Sequence, residues 1–248
     1  MILSIYISFA ISARKTAWML QQIFNLTVSH QTVLNYARAA AYYCHRINMD
    51  YKGDIDDTSV GDETYLRING KNYYTWFFIS SKMKSITAYH LSDNRETVSA
   101  ITAIKEAVRT RGPNQKLTIV TDGNPSYTAA LHYLNAQEQD NNKHPNINQI
   151  QVIGLKNLDE VSSEYRPFKQ IVERLNRTYK HHVRPAAGFN SFNGAMAMTA
   201  LFVTHYNFLR PHAALEYRAP ISLPHLMNLR TIQAKWIQIL KMGCELEH

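Results

Sequence analysis

The chain has 248 residues, 45% of them hydrophobic, with nine glycines and eight prolines. That composition excludes disordered, collagen-like and low-complexity classes and suffices for one large domain, or a small one joined to a medium one. The net charge of +8 is uneven, with four Lys and Arg against one acid in residues 1–50, 12 against 14 in 51–165, and 11 against four in 166–248. Basic ends around a near-neutral middle point to an acidic partner, nucleic acid foremost. Cys44 and Cys244 make neither a disulfide framework nor a cysteine-based zinc site, and they suit a reducing compartment. No run of about 18 uncharged apolar residues occurs, so no membrane partner is expected.

The start, MILSIYISFAISA, is followed rather than preceded by Arg14 and Lys15, the reverse of a signal peptide. It reads as a buried first helix or as a truncated element. Ser12 can cap a helix in which Ala17, Leu20, Ile23 and Phe24 recur at helical spacing. Asn25–Val28 breaks it. Ser29 then caps a second helix, with Val33, Tyr36, Ala37 and Ala40 inward and His30, Gln31, Asn35 and Arg38 outward. Two short helices around a tight turn, the second with a polar-basic face, fit a DNA-binding helix-turn-helix and also an ordinary helical hairpin. Residues 46–58 are polar and aperiodic and read as a linker.

Strands are predicted over Ser59–Ile68, Tyr73–Ser80 and Ser85–Leu91, with Asn69-Gly70 as the hairpin turn between the first two. Glu96–Arg109 reads as a helix with Val98, Ile101, Ile104, Ala107 and Val108 on one side, ended by Arg111-Gly112-Pro113. Leu117–Thr121 is a central buried strand. Pro125–Leu134 is a helix, 135–149 a polar loop and Ile150–Leu155 a fifth strand. Helices follow over Pro167–His182, 191–209 and 221–241. The order βββαβαβα followed by helices predicts an α/β layer with a mixed sheet.

Three acids stand out. Asp62 shares strand parity with Val60, Thr64, Leu66 and Ile68, the face predicted to be buried, while Gly61, Glu63, Tyr65 and Arg67 take the other. A carboxylate on an apolar face needs a metal ion or a basic partner. Asp122 ends the central strand, where sites of open α/β sheets gather, and can also simply cap the next helix. Glu173 lies off the apolar stripe of Phe168, Ile171, Val172, Leu175, Tyr179 and His182. Lys169, Arg177, Lys180 and Arg184 all fall within roughly 40° of it. That column is either a solvated face or a cation ligand amid phosphate-tracking bases. Together the three acids form an all-oxygen set suited to Mg²⁺ or Mn²⁺, and two such ions about 3.5–4 Å apart can clamp a phosphodiester displacement. His205 and His212 lack cysteine partners for zinc and read as packing or hydrogen-bonding groups. Tyr206, Phe208 and Tyr217 can stack on bases or pack in a core, and Arg210 can meet phosphate. No Gly-rich phosphate loop is present.

Three blocks carry a resemblance: Val60-Gly61-Asp62-Glu63-Thr64-Tyr65, Thr121-Asp122-Gly123, and IVERLNRTYKHHVRPAAGFNS (171–191) with HYNFLRPHAAL (205–215). The chain resembles, over roughly residues 10–225, the DDE-type transposases of bacterial and archaeal insertion sequences, which share a catalytic fold with retroviral integrases and ribonuclease H. The resemblance implies an α/β fold, with a ribonuclease-H-like mixed five-stranded sheet flanked by helices, an N-terminal helix-turn-helix segment and a helical C-terminal tail. It divides the chain into a DNA-binding segment (1–45), the linker (46–58), a catalytic domain (59–220) and the tail (221–248). Asp62, Asp122 and Glu173 match the family's metal triad, here for two Mg²⁺ or Mn²⁺ ions. Arg177 and Lys180 match positions that contact DNA ends in integrases. Asp122 and Glu173 are separated by 50 residues, and Glu160 and Glu164 are the alternatives for the third acid. The implied reaction is cleavage of strand ends by water, followed by attack of the freed 3′-hydroxyl on target DNA. The implied partners are double-stranded DNA, as terminal inverted repeats and target, and further copies of the chain. The implied location is the prokaryotic cytoplasm, at the nucleoid. A hydrolytic nuclease and an inactive, truncated DNA-binding remnant are the rival readings.

Overall fold

A computed structural model describes residues 1–53, 56–109, 116–140, 147–154 and 160–246. In chain order, α1 (Ala13–Phe24) and α2 (His30–Asp50) precede β1 (Thr58–Ile68), β2 (Lys71–Ser80) and β3 (Ile86–Ser92). Next come α3 (Thr97–Val108), β4 (Leu117–Thr121), α4 (Pro125–Asp140), β5 (Ile147–Gln151) and α5 (Glu160–Val183). The chain closes with α6 (Phe192–Thr204), α7 (Pro224–Met227) and α8 (Ile232–Glu245). Two compact units result: Lys52–Leu66 with Asn72–Arg177, and Met1–Tyr51 with Arg67–Lys71 and Thr178–His248.

The first unit is built on the five-stranded sheet, in the order β3-β2-β1-β4-β5. β2 and β3 are antiparallel, whereas β4 runs parallel to both β1 and β5. The sheet is therefore mixed and flanked by helices, as the βββαβαβα order predicts. Asn69 and Gly70 both take positive φ, 48° and 78°, the conformation a two-residue hairpin turn requires. β4 is buried along nearly its whole length, which explains its apolar and β-branched composition. Trp76, Phe78, Ile104, Leu117, Ile119, Tyr127 and Leu131 form the core beneath α3 and α4. Ala100, Ala103 and Ala107 make the buried stripe of α3. Val98, predicted inward, is exposed, because it lies roughly 120° round the helix from Ile104.

In this unit three elements begin or end three or more residues from expectation. α4 continues to Asp140, into the segment read as a loop. β5 begins three residues before the predicted strand. α5 starts at Glu160 and carries Pro167 inside it. The missing backbone bond there is tolerated, and the rings of Tyr165 and Phe168 meet across it at 5.5 Å. Arg111-Gly112-Pro113, residues 141–146 and Leu155 lie outside the described residues.

In the second unit both predicted caps form. The Ser12 hydroxyl accepts from the Lys15 amide at 3.3 Å and that of Ser29 from Thr32 at 3.0 Å. Asn25, left-handed at φ 54°, stops α1. Leu3, Ile5, Tyr6 and Ile7 of the apolar start are buried around a π-helical turn. α2 runs to Asp50, so the first residues of the expected linker are helical, with Ile47 and Asn48 buried. Its inward stripe is Val33, Ala37, Ala40, Cys44 and Ile47. Tyr36 lies outside that arc and is exposed, as are Ile23 and Phe24 of α1. The Asn48 amide donates to the Ala200 carbonyl at 3.0 Å and accepts from the Thr204 hydroxyl at 2.9 Å, which clasps α2 to α6. The Cys44 thiol is buried and pushed up to about 12, while Cys244 is exposed. The helix predicted over 191–209 becomes α6 plus a π-helical turn, His205–Leu209. That predicted over 221–241 is divided into α7 and α8. Among the described residues no helix is long and apolar enough to cross a membrane.

Candidate active site

β1 and β4 lie side by side with Val60 opposite Val120. Parallel strands keep register, so Asp62, in the middle of β1, and Asp122, just past the carboxyl end of β4, come side by side where the β1–β4 pairing ends. Gly61 precedes Asp62 because Phe78 fills the space beside it: a Cβ there would sit 2.5 Å from the Phe78 ring. Asp122 is held by its own turn, its Oδ1 accepting from the Asn124 amide at 3.0 Å. Carboxylate oxygens of Asp62, Glu63 and Asp122 lie within 4.8 Å of one another.

Helix α5 supplies the opposing cations and donors. Asn176 Nδ2 donates to Asp62 Oδ2 at 2.9 Å, and Lys169 Nζ stands 3.6 Å from Asp62 Oδ1. The two side chains are seven residues apart, hence nearly eclipsed on the helix. Lys169 was expected along DNA with the other bases; in the structure its side chain is only 12% exposed, against Asp62. Burial raises the Asp62 carboxyl to about 6, with Lys169 opposing and the charges of Glu63 and Asp122 adding to it.

Glu63 takes the strand face opposite to that of Asp62 by parity, and that face is covered here: its side chain is 3% exposed. Oε1 accepts from Arg95 and, at 3.1 Å, from Asn124 Nδ2; Oε2 accepts from the Tyr127 hydroxyl at 2.7 Å. Tyr127 is fully buried, its ring edge-on to Trp76 and Phe78. Burial and the Glu63 charge hold its phenol well above 10. These partners lie 32 to 64 positions away, so no local pattern marks them.

Glu173 is exposed on α5, in the turn between Lys169 and Asn176, and outside the cluster formed by the other three acids. Glu160 and Glu164 are exposed at the start of that helix. Arg177 and Arg184 are exposed and Lys180 is half-buried. His30, Gln31, Asn35 and Arg38 all face solvent on α2, with Gln31 donating to Asn35 at 2.8 Å. Arg210 sits over the Tyr206 ring, 5.6 Å from its centroid. His205 and His212 are packing groups: the former stacks on Trp236 with its pKa brought down to about 3, the latter lies 3.3 Å from the Tyr206 carbonyl. Tyr206 and Phe208 are buried, whereas Tyr217 is exposed.

Among solved structures the chain is similar to the HTLV-2 integrase catalytic core domain in complex with magnesium, trimeric form. Identity there is 14% and the TM-score 0.46, over 68% of this chain and 96% of that one. It is similar also to a simian T-cell lymphotropic virus intasome in complex with a PP2A regulatory subunit, at 15% identity and TM-score 0.45 over 94% and 77% of the two chains. Mos1 transposase catalytic domain, with Raltegravir and Mg, gives 11% identity and TM-score 0.30 over 69% and 92%. No curated protein sequence matches. A family model described as a DDE domain (DDE_Tnp_IS240) matches residues 58–205, a stretch that contains Asp62, Asp122 and Glu173 and spans more than half of the sequence. The chain therefore belongs to the DDE-domain family of transposases.

Proposed function

We propose that this transposase cleaves DNA strands at the ends of its element and joins the freed 3′-hydroxyls to target DNA, with Asp62, Asp122 and Glu173 as the acids that hold divalent metal. The observation that carries the reading is the close approach of Asp62, in β1, and Asp122, just after the parallel strand β4. The donor set fits a hard cation: it is all carboxylate oxygen, and burial, with the like charges of Glu63 and Asp122, already raises the Asp62 carboxyl to about 6. Two Mg²⁺ or Mn²⁺ ions bound there would activate the attacking oxygen and offset charge on the leaving one.

The chain's own residues do the remaining work. Asp62, fixed within β1, and Asp122, just past β4, would hold the cations against which the reacting phosphate is positioned. Lys169 balances Asp62 while the site is empty of substrate. Glu173 completes the acid set from α5. Arg177, Lys180 and Arg184 bind phosphates further along the strand, and α2, through His30, Gln31, Asn35 and Arg38, reads the inverted repeat, with Arg210 as a further phosphate contact. In cleavage, water adds to phosphorus and the 3′-oxygen leaves with a proton. In joining, that hydroxyl loses its proton as it adds to a target phosphorus, and the target's own 3′-oxygen leaves with a proton. Two copies of the chain pair two ends.

The test offers DNA carrying the flanking inverted repeats with Mg²⁺ or Mn²⁺, comparing wild type with Glu173→Gln. Joined product lost in the variant supports the reading. Hydrolysed ends that never join identify a nuclease instead, and binding without any cleavage identifies a remnant.

A further inference from the structure

We propose that Glu63 is a positioning residue of the acid site, anchoring the turn that carries Asp122, and is not one of the metal ligands. The inference rests on the reading of Asp62 and Asp122 as the metal-holding pair.

Glu63 lies close enough to both aspartates to share a cation, but its oxygens are committed. An ionised carboxylate offers about four lone-pair positions. Both on Oε1 are used, by Arg95 and by Asn124 Nδ2, and one on Oε2 is used by the Tyr127 hydroxyl. The Arg95 guanidinium also neutralises the charge in a setting where the Glu63 side chain is 3% exposed. One Oε2 position is left, and a cation bound there would share its oxygen with the Tyr127 hydroxyl and draw on a charge that Arg95 already neutralises, a costly exchange. Tyr127 cannot turn away, since Trp76 and Phe78 hold its ring. Asp62 differs in kind: its side chain is 16% exposed, and among the described residues its one ion-pair partner is the flexible ammonium of Lys169 at 3.6 Å.

What Glu63 holds is the turn after β4. Asn124 takes part three times. Its side-chain amide donates to Glu63, its Oδ1 accepts from the Ser126 amide at 3.1 Å at the start of α4, and its backbone amide donates to Asp122 Oδ1 at 3.0 Å. The Ser126 hydroxyl donates to the Arg95 carbonyl at 2.6 Å. Glu63, Arg95, Ser126 and Asn124 thus close a ring of hydrogen bonds that joins β1 to the turns before α3 and α4. Asp122 keeps its orientation through that ring. The acid beside Asp62 therefore serves the second aspartate rather than the cation.

A ligand and an anchor answer differently to amide substitution. Glutamine keeps an acceptor oxygen for Arg95 and Asn124, and its amide nitrogen can donate to the Tyr127 hydroxyl. It preserves the ring but is a poor ligand for a hard cation. Alanine removes both functions. The experiment titrates Mg²⁺ by calorimetry into wild type, Glu63→Gln, Glu63→Ala and Asp62→Asn, and follows end joining in parallel. As an anchor, Glu63→Ala weakens Mg²⁺ binding about 10–100-fold. Glu63→Gln restores binding to within about threefold of wild type, and joining with it, while Asp62→Asn binds no Mg²⁺. Glu63→Gln as defective in binding as Asp62→Asn overturns the proposal and makes Glu63 a ligand, with the family reading intact. Unimpaired binding by Asp62→Asn overturns the reading of the metal pair itself. The comparison turns on the glutamine variant, so it stands even if Glu63→Ala does not fold.

Discussion

Asp62 is held charged at a cost, and removing that charge should make the metal-free protein more stable. The perturbation is Asp62→Asn, which keeps the shape and the hydrogen bond to Asn176. Burial and the neighbouring acids move the carboxyl from 3.8 to about 6. Two units correspond to about 3 kcal/mol at neutral pH, a ceiling. The side chain is 16% exposed and the substitution also forfeits the Lys169 contact, so a gain of about 1–2 kcal/mol is expected. For a chain of this size that is a rise in Tm of roughly 2–8 °C. The folded-state pKa is the higher one, so wild type suffers no penalty below about pH 4 and the full penalty above about pH 6. Thermal unfolding in EDTA at pH 7.5 and pH 4 reads both limits: the variant is the more stable at the first, and the two converge at the second. Added Mg²⁺ raises Tm for wild type alone. A variant less stable than wild type at pH 7.5 in EDTA would refute the reasoning, because the contacts from α5 would then outweigh desolvation and like-charge repulsion.

Gly61→Ala should destabilise by about 1–3 kcal/mol and lower joining, since its Cβ would press on the fully buried Phe78 ring; a fall in Tm with slower strand transfer is the expected record. His205 is buried neutral, its pKa down at about 3 from 6.5, so the folded state binds fewer protons than the unfolded chain and stability drains away as pH falls below 6.5. The share due to His205 is roughly 2 kcal/mol by pH 5, and His205→Phe should flatten the decline in urea midpoints between pH 7.5 and pH 5. Arg177→Ala and Arg184→Ala, both at exposed positions, should each reduce the slope of log K against log salt by about 0.9, as read by fluorescence anisotropy on duplex DNA.

The two aspartates were legible in the sequence because strand parity and strand termini are local signals. Asp62 showed as an acid among apolar neighbours of the same parity, and Asp122 followed directly on an unbroken β-branched run. The caps at Ser12 and Ser29 and the Asn69-Gly70 turn were legible for the same reason: each is decided within a few residues. Glu63 was not, because parity assigns a face but not what covers it, and Arg95, Asn124 and Tyr127 reach it from distant segments. Lys169 and Asn176 fall in the same class. Their helical spacing was visible, but the carboxylate they meet is more than a hundred residues earlier in the chain. Hydrophobicity alone also overstated burial on α1 and α2, where Ile23, Phe24 and Tyr36 face solvent because each helix packs along one narrow stripe. The onset of α5 was hidden by Pro167, a residue that more often ends a helix than sits inside one.

The unequal fates of the two thiols give the molecule a built-in handle. Cys44 is sealed in α2 with its thiol at about 12, so it carries almost no thiolate at neutral pH, while Cys244 is open to solvent on α8. A maleimide dye added to the unmodified chain should therefore couple once, at Cys244. Single-molecule imaging of its complexes with DNA could then count subunits by photobleaching without any substitution to the protein.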